Sequence, residues 1–332
     1  MKAEKLPSGN WRARVYLGKD ENGKKIMRSF TAPDKKTCLF LANEAKVKEE
    51  GKRSPMTLSQ AIDAYVELKS NVLSPTTVRE YSRKNFFGAL LDKKINDITT
   101  EDLQKAINIE ATRNKPKTIR NKYGLVKSVL SLYRPNFNPQ IRLPQKEKTD
   151  VYIPTRAELS AILERSKGTP IEIPILLAAF CSLRRSEICA LNAGDVKGNR
   201  ITINKALVQD KDKNLVLKTT KTTESTRTTV APDFVIKKLP QEGKITEMTP
   251  NAITKRFRRL LIECEIPLFS FHKLRHFFAS ELMAEGIPDK YIAAMGGWKT
   301  DSTLKKVYQH IMTDQRARME ESITSHFSSF EN

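Results

Sequence analysis

Two histidines and an arginine stand among aromatic residues in Leu268-Phe-Ser-Phe-His-Lys-Leu-Arg-His-Phe-Phe-Ala-Ser280. Ser270 is a suitable N-cap, and Phe271, Leu274, Phe277 and Phe278 recur at helical spacing. That register sets His272 and Arg275 one turn apart on a shared face near the helix start, where the helix dipole favours an anion. Two blander readings compete. The helix could be buried, with its imidazoles satisfied by backbone carbonyls. His272 and His276 could instead form an i,i+4 metal pair, but no Glu follows His272 and no Cys or carboxylate cluster lies nearby in sequence. No metal and no cofactor is expected.

Two further stretches complete a pattern. Cys181-Ser-Leu-Arg-Arg-Ser-Glu-Ile-Cys-Ala-Leu191 precedes the histidine stretch, and Met295-Gly-Gly-Trp-Lys-Thr-Asp-Ser-Thr-Leu-Lys-Lys-Val-Tyr-Gln-His310 follows it. In order, spacing and identity the three resemble the tyrosine recombinase (phage integrase) family, whose boxes run Gly-Leu-Arg-x-Ser-Glu-Leu, His-x-Leu-Arg-His, and Gly-His/Trp with a Tyr about nine residues on. The resemblance implies a catalytic set of Arg184, Lys221, His272, Arg275, Trp298 and Tyr308. Lys221, in Thr220-Lys-Thr222 with Arg227 downstream, matches the context of the family's mobile lysine, and Lys218 competes for the role. Glu187 and His276 read as groups that orient Arg184 and the active-site helices. Arg185 is off the motif and is expected to face elsewhere. Cys181-Ser182 replaces the family's Thr-Gly, and Trp298 stands ten positions before Tyr308. Tyr291, the nearest other tyrosine, precedes Gly-Gly-Trp and reads as core.

The chemistry these residues fit is metal-free phosphodiester cleavage. It needs cations for the nonbridging oxygens, a nucleophile, and a proton donor for the leaving oxygen. Arg184 and Arg275 can grip the phosphorane through planar forks. Tyr308 would attack to give a 3′-phosphotyrosine that stores the bond energy for rejoining, and no P-loop motif is present. His272 could take or return the tyrosine proton, Lys221 could protonate the departing 5′-oxygen, and Trp298 could donate its indole N–H to the phosphate.

These residues need elements to hold them, and the chain of 332 residues, 39% hydrophobic, is long enough for two or three cores. Residues 11–17 and 24–30 read as a hairpin around Asp20-Glu-Asn-Gly23, preceded by a short strand turned at Pro7-Ser-Gly-Asn10 and followed by a helix opened by Pro33-Asp34. Arg12, Arg14 and Tyr16, with Lys25 and Arg28, would line one face of this hairpin as a DNA-binding surface. It resembles the arm-site-binding domain of mobile-element integrases. Four helices follow, started at Thr57, Ser74-Pro75, Thr100 and Lys117, with Lys84, Arg113, Lys115, Lys117 and Arg120 available to phosphates. This segment corresponds to the family's core-binding domain. Thr155-Arg-Ala-Glu158 is a capping box, residues 171–180 form an apolar helix that ends in the first box, and 200–203, 214–218 and 227–230 read as strands. Helices are expected over 249–263, 271–285, 288–295 and 302–310, then a polar amphipathic tail to Phe327. The expected fold is mainly α with small β-sheets, in domains 1–52 (putting arm-site DNA on a β-sheet plus helix), 56–145 (core-binding) and 150–332 (catalytic).

Net charge is +21, and residues 1–55, 56–150 and 151–332 are each +7. Three equally basic stretches suit a chain laid along a polyanion, with duplex DNA the natural candidate, better than a tethered tail would; a merely soluble basic protein is the competing reading. Four scattered cysteines without a Cys-x-x-Cys pair suggest reduced core thiols, and the absence of long apolar runs suggests a cytoplasmic protein. The sequence therefore points to a site-specific recombinase acting on double-stranded DNA at core and arm sites, as a tetramer, with DNA-bending and directionality proteins as accessory partners and no membrane. A type IB topoisomerase shares the chemistry but lacks a need for separate basic N-terminal modules. A non-catalytic DNA-binding regulator would not fill every catalytic position.

Overall fold

A computed structural model of the chain describes residues 1–19, 25–53, 56–146, 152–219 and 226–298. Lys221, Tyr308, the turn at Asp20-Glu-Asn-Gly23, the helix expected over 302–310 and the tail lie outside the described residues. The fold is mainly α with small antiparallel sheets, and the chain divides into two compact units, Met1–Lys148 with Gln209–Asn214, and Thr149–Val208 with Leu215–Asn332.

In the first unit, β1 (Ala3–Lys5), β2 (Trp11–Lys19) and β3 (Lys25–Ala32) form an antiparallel sheet in that order. Ala13 and Val15 point from one face of β2 into a small core with Ala32 and with Cys38 and Ala42 of α1 (Lys35–Arg53). Asp34 caps α1 by accepting the Thr37 N–H at 2.9 Å. Because side chains alternate across a strand, the register decides which basic residues share the open face. Arg12 pairs with Thr31, Arg14 with Ser29, Tyr16 with Met27, and, past a bulge, Lys19 with Lys25. Lys25 therefore joins Arg12, Arg14 and Tyr16. Arg28 pairs with the buried Val15 and so belongs to the other face, which corrects its expected place on the DNA-facing side.

The rest of this unit is a helical bundle of α2 (Leu58–Lys69), α3 (Pro75–Ser82), α4 (Thr100–Ala111) and α5 (Pro116–Tyr133). Leu58 and Ile62, Leu103 and Ile107, and Ile119, Val126 and Val129 meet in one apolar core. Thr57 and Gln60 form a capping box at α2, and Ser74 caps α3 ahead of Pro75. As expected, α4 begins at Thr100, and Thr99 caps it in a reciprocal box with Asp102.

In the second unit, α7 (Glu172–Cys181) is the apolar helix at the centre, packed against α11 (Lys273–Ala284). Around them lie α6 (Arg156–Ser166), capped by the Thr155/Glu158 box, the single-turn α8 (Arg185–Ile188) and α9 (Asp233–Ile236), α10 (Pro250–Glu263) and α12 (Asp289–Gly296). Five strands occur among the described residues of this unit, where three were expected. β4 (Val196–Lys197), β5 (Arg200–Ile203) and β8 (Arg227–Val230) make one sheet, and β6 (Lys205–Gln209) pairs with β7 (Leu215–Thr219) in another. The last two expected strands thus belong to different sheets, and β6 escaped notice because Lys-Ala-Leu-Val-Gln has no clean alternation. Cys38, Cys181, Cys189 and Cys264 are free thiols, the first three buried. No helix among the described residues is long and apolar enough to cross a membrane.

Candidate active site

Arg184 is positioned by the way α7 ends. Ser182 adopts φ 57°, the left-handed conformation that closes a helix, and Leu183 donates its N–H back to the Leu177 carbonyl at 3.1 Å. The chain then extends through Arg184 into α8, and Glu187 folds back to accept the Arg184 backbone N–H at 2.7 Å. The same carboxylate accepts the Arg184 side chain through Nη1 at 2.7 Å. Ser182 occupies the position where the resembled family has Gly. The positive φ supplies the physical reason for that preference, since only Gly adopts it without Cβ strain.

A second element converges on this turn. The helix α12 ends at Gly297, φ 65°, in a Schellman-type closure with the Trp298 N–H on the Ala293 carbonyl at 3.0 Å. The carbonyls exposed by this ending each take an arginine: Met295 accepts from Arg227 Nε at 3.1 Å, Gly296 from Arg275 Nη2 at 2.7 Å, and Gly297 from Arg184 Nη2 at 2.8 Å. The negative end of the helix dipole is therefore spent on three cations. Arg275 also donates to the Ser182 carbonyl, and its guanidinium carbon lies 4.9 Å from the centre of the Trp298 ring. Both glycines are required by this closeness, since a Cβ on Gly296 would enter the Trp298 ring and one on Gly297 would reach the Arg227 side chain at 2.9 Å.

Electrostatics follow from the crowding. Burial works to raise the Glu187 pKa, but the hydrogen bonds and charge of Arg227, together with the Arg184 charge, outweigh it and hold the carboxyl down at about 2. Arg275, 1% exposed, is pushed down to about 9 by burial and by the Arg184 charge. Its Nε–H finds no partner among the described residues. At the start of α11, His272 takes the N-cap position; Ser270 does not cap, because a turn with Lys273 N–H on the Ser270 carbonyl at 2.8 Å precedes the helix. His272 stands edge-on to His276, with ring centres 5.3 Å apart. Burial, then the charges of Arg275 and Arg184, lower His272 to about 4. Because His272 is exposed as a residue, solvent tempers the burial contribution, and the two arginine charges secure the direction. His276, buried, falls to about 3 through burial and the Lys273 charge. Both imidazoles are neutral at pH 7.

Arg184, 39% exposed in its side chain, and His272 open onto a cleft of about 490 Å³ whose other walls include Arg185, Arg258, Ser270 and Phe271. Arg185 was expected to face elsewhere; it lines this cleft instead, held there by its hydrogen bond to the Thr254 hydroxyl of α10.

Residues 155–315 match the phage integrase family. This stretch is a phage integrase family domain. This tyrosine recombinase acts on DNA, cleaving and rejoining its strands. It is similar to the tyrosine recombinase XerC-like protein of Caldanaerobacter subterraneus subsp. tengcongensis, 25% identical over 96% of each chain, and to a tyrosine recombinase of Pseudothermotoga lettingae, 26% identical over 74% of this chain and 90% of that one. Its fold is that of the Tn1549 transposon integrase solved with transposon right end DNA, at TM-score 0.65 and 18% identity over 80% of this chain and 99% of that one. It is also that of the lambda integrase tetramer bound to a Holliday junction, at TM-score 0.56 and 15% identity over 92% and 94%.

The structure brings Arg184, Glu187, His272, Arg275, His276 and Trp298 of the recombinase together. Arg275 is enclosed, with the Trp298 indole across its guanidinium rather than presented as a free donor. Arg227 was mentioned in the sequence only as a basic residue near Lys221, yet it is buried in the same network, a role that no local spacing announces. Of the basic residues of the helical bundle, Lys84 is held by Asp63 at 2.7 Å and Arg120 by the Pro144 carbonyl at 2.7 Å, while Arg113, Lys115 and Lys117 are exposed around the start of α5. On the N-terminal sheet, Arg12 is paired with Glu4 at 2.6 Å, and Arg14 and Tyr16 are exposed.

Proposed function

We propose that this tyrosine recombinase is the integrase of a phage or other mobile element and that Tyr308 is its nucleophile. The observation that carries the assignment of roles is the placement of Arg184 and Arg275 in one frame of carbonyls and carboxylate, with the neutral His272 at the edge of the same cleft. In this reading the Tyr308 hydroxyl oxygen attacks phosphorus and the P–O5′ bond breaks, giving a 3′-phosphotyrosine and a 5′-hydroxyl. His272 takes the tyrosine proton, Lys221 returns one to the leaving 5′-oxygen, and Arg184 neutralises a nonbridging oxygen. Arg275 becomes the second cation when the indole of Trp298 turns from its face toward the phosphate. Attack of a new 5′-hydroxyl on the phosphotyrosine reverses the step and rejoins strands without an external energy source.

The same reading assigns residues 56–145 to the core site and the sheet of residues 1–52 to a second, distal site, read by Arg14, Tyr16 and Lys25 with Arg12. Assembly as a tetramer, assisted by bending and directionality proteins, fits strand exchange between two duplexes. The test is covalent capture on a nicked core-site duplex, from which the short 5′-hydroxyl product diffuses away. Wild-type protein should accumulate a protein–DNA adduct and Tyr308→Phe should form none while binding DNA as tightly. Adducts persisting in Tyr308→Phe would assign the nucleophile elsewhere.

A further inference from the structure

We propose that Arg227 is a positioning residue for strand cleavage, fixing the frame from which Arg184 and Arg275 hold the scissile phosphate. The inference rests on the recombinase reading above and concerns a residue to which that chemistry gives no role.

Arg227 opens β8, and its side chain is 8% exposed. It makes four hydrogen bonds that no other side chain could make together. Nη1 and Nη2 straddle the Glu187 carboxylate at 3.0 and 2.7 Å, Nη2 also donates to the Ser182 carbonyl at 3.4 Å, and Nε donates to the Met295 carbonyl at 3.1 Å. Each acceptor is shared with, or adjoins, a group that holds a phosphate-binding arginine. Glu187 is the partner of Arg184, the Ser182 carbonyl is a partner of Arg275, and Met295 is next to the two glycines whose carbonyls take Arg275 and Arg184. Arg227 thereby ties the turn after α7 to the end of α12, the two backbone segments that aim both arginines. Gly297 is shaped to its presence, since a Cβ there would meet its Cδ at 2.9 Å.

Arg227 also acts through charge. Glu187 is a single carboxylate between two guanidinium groups; its Oε2, taken by Arg227 Nη2 and by the Arg184 backbone N–H, is kept from the Arg184 guanidinium, and the Arg184 fork retains donors for an external oxygen. Without Arg227, Glu187 is free to take Arg184 through both oxygens, a bidentate pair that competes with phosphate. A lysine keeps the charge but has one ammonium in place of the planar fork and cannot span Glu187, Ser182 and Met295 together.

The experiment compares wild-type, Arg227→Lys and Arg227→Ala proteins on two nicked core-site duplexes, one with an ordinary scissile phosphate and one with a methylphosphonate there. The methylphosphonate lacks the charged nonbridging oxygen that the arginines neutralise. Arg227→Lys, whose fold is checked by its melting curve, should bind the phosphate duplex within a few-fold of wild type yet form adduct slower by on the order of 10²-fold, the cost of a misplaced cation. On the methylphosphonate its deficit should shrink at least tenfold, because aim no longer matters when the charge is gone. An equal deficit on both duplexes, or wild-type rates for Arg227→Lys, would overturn the proposal by reducing Arg227 to a scaffold. Absence of adduct from wild-type protein on the phosphate duplex would instead refute the recombinase reading, so the two failures are distinct.

Discussion

Ser182 shows how one residue can carry a cost that function does not require. Its φ of 57° is strained for any residue with a Cβ, it is 0% exposed, and its hydroxyl finds no partner among the described residues. A left-handed non-glycine residue costs about 1–2 kcal/mol, and a buried unsatisfied hydroxyl adds to that. It is the backbone carbonyl of Ser182, and not its hydroxyl, that accepts hydrogen bonds from Arg227 and Arg275. Ser182→Gly should therefore raise stability by roughly 1–2 kcal/mol, offset in part by the greater freedom of Gly in the unfolded chain, and leave adduct formation unchanged. Urea unfolding of the two proteins checks the sign, and a destabilised Ser182→Gly would mean that the hydroxyl has a partner in solution. The sequence displayed Ser182 as a departure from the family's Gly, but the reason for that Gly is a backbone angle, visible only once the helix end is built.

At the scale of elements, the site is the meeting of two helix endings, and the second depends on Gly296 as well as on the cap at Gly297. A Cβ on Gly296 has no room beside the Trp298 ring. Gly296→Ala should push the indole off Arg275 and shift the Gly296 carbonyl that accepts its Nη2, destabilising the protein by about 1–3 kcal/mol, the usual range for overpacking. Adduct formation should fall more than DNA binding does, since in the proposed reading the displaced groups serve only the reacting phosphate. Intrinsic tryptophan fluorescence in a Trp11→Phe background reads the movement directly; an unchanged Trp298 emission in Gly296→Ala with full activity would count against this account. Helix boundaries were largely legible because caps are local: Thr57, Ser74 and Thr155 all accept the N–H they were expected to accept. The start of α11 was not legible, because the turn from Ser270 to Lys273 satisfies backbone groups by i→i+3 bonds that leave no side-chain signature.

Across the whole molecule, basic charge is spread evenly, and the question is which parts of it read DNA. Removing residues 1–52 would be a poor test, because Val47 of α1 packs against the core of the helical bundle and its loss would disturb both. Substituting Arg14, Tyr16 and Lys25 together with alanine spares every buried contact, since all three are exposed on the face away from α1. Footprinting on an element end should then show loss of a distal protected sequence with the core site still covered and still cleaved. Identical footprints for wild-type and triply substituted protein would remove the distal-site role of the sheet while leaving the recombinase chemistry in place.

The sequence by itself determined the residue types, their order and the element types that carry them, because these depend on periodicity, caps and short motifs that operate within a few residues. It marked Arg184, His272, Arg275 and Trp298, which the fold then gathered from the ends of α7, α11 and α12. Only the tertiary structure decided the partners of these residues. Arg227 reaches Glu187 from forty positions away and Met295 from sixty-eight, and nothing local in Arg-Thr-Thr-Val signals a buried fork. Arg28 likewise carried the right charge for the open sheet face and fell on the wrong side, because strand register counts pleats rather than charges. Long-range hydrogen bonding and strand register arise when separate segments are packed together, so they are properties of the folded chain that no single stretch of it contains.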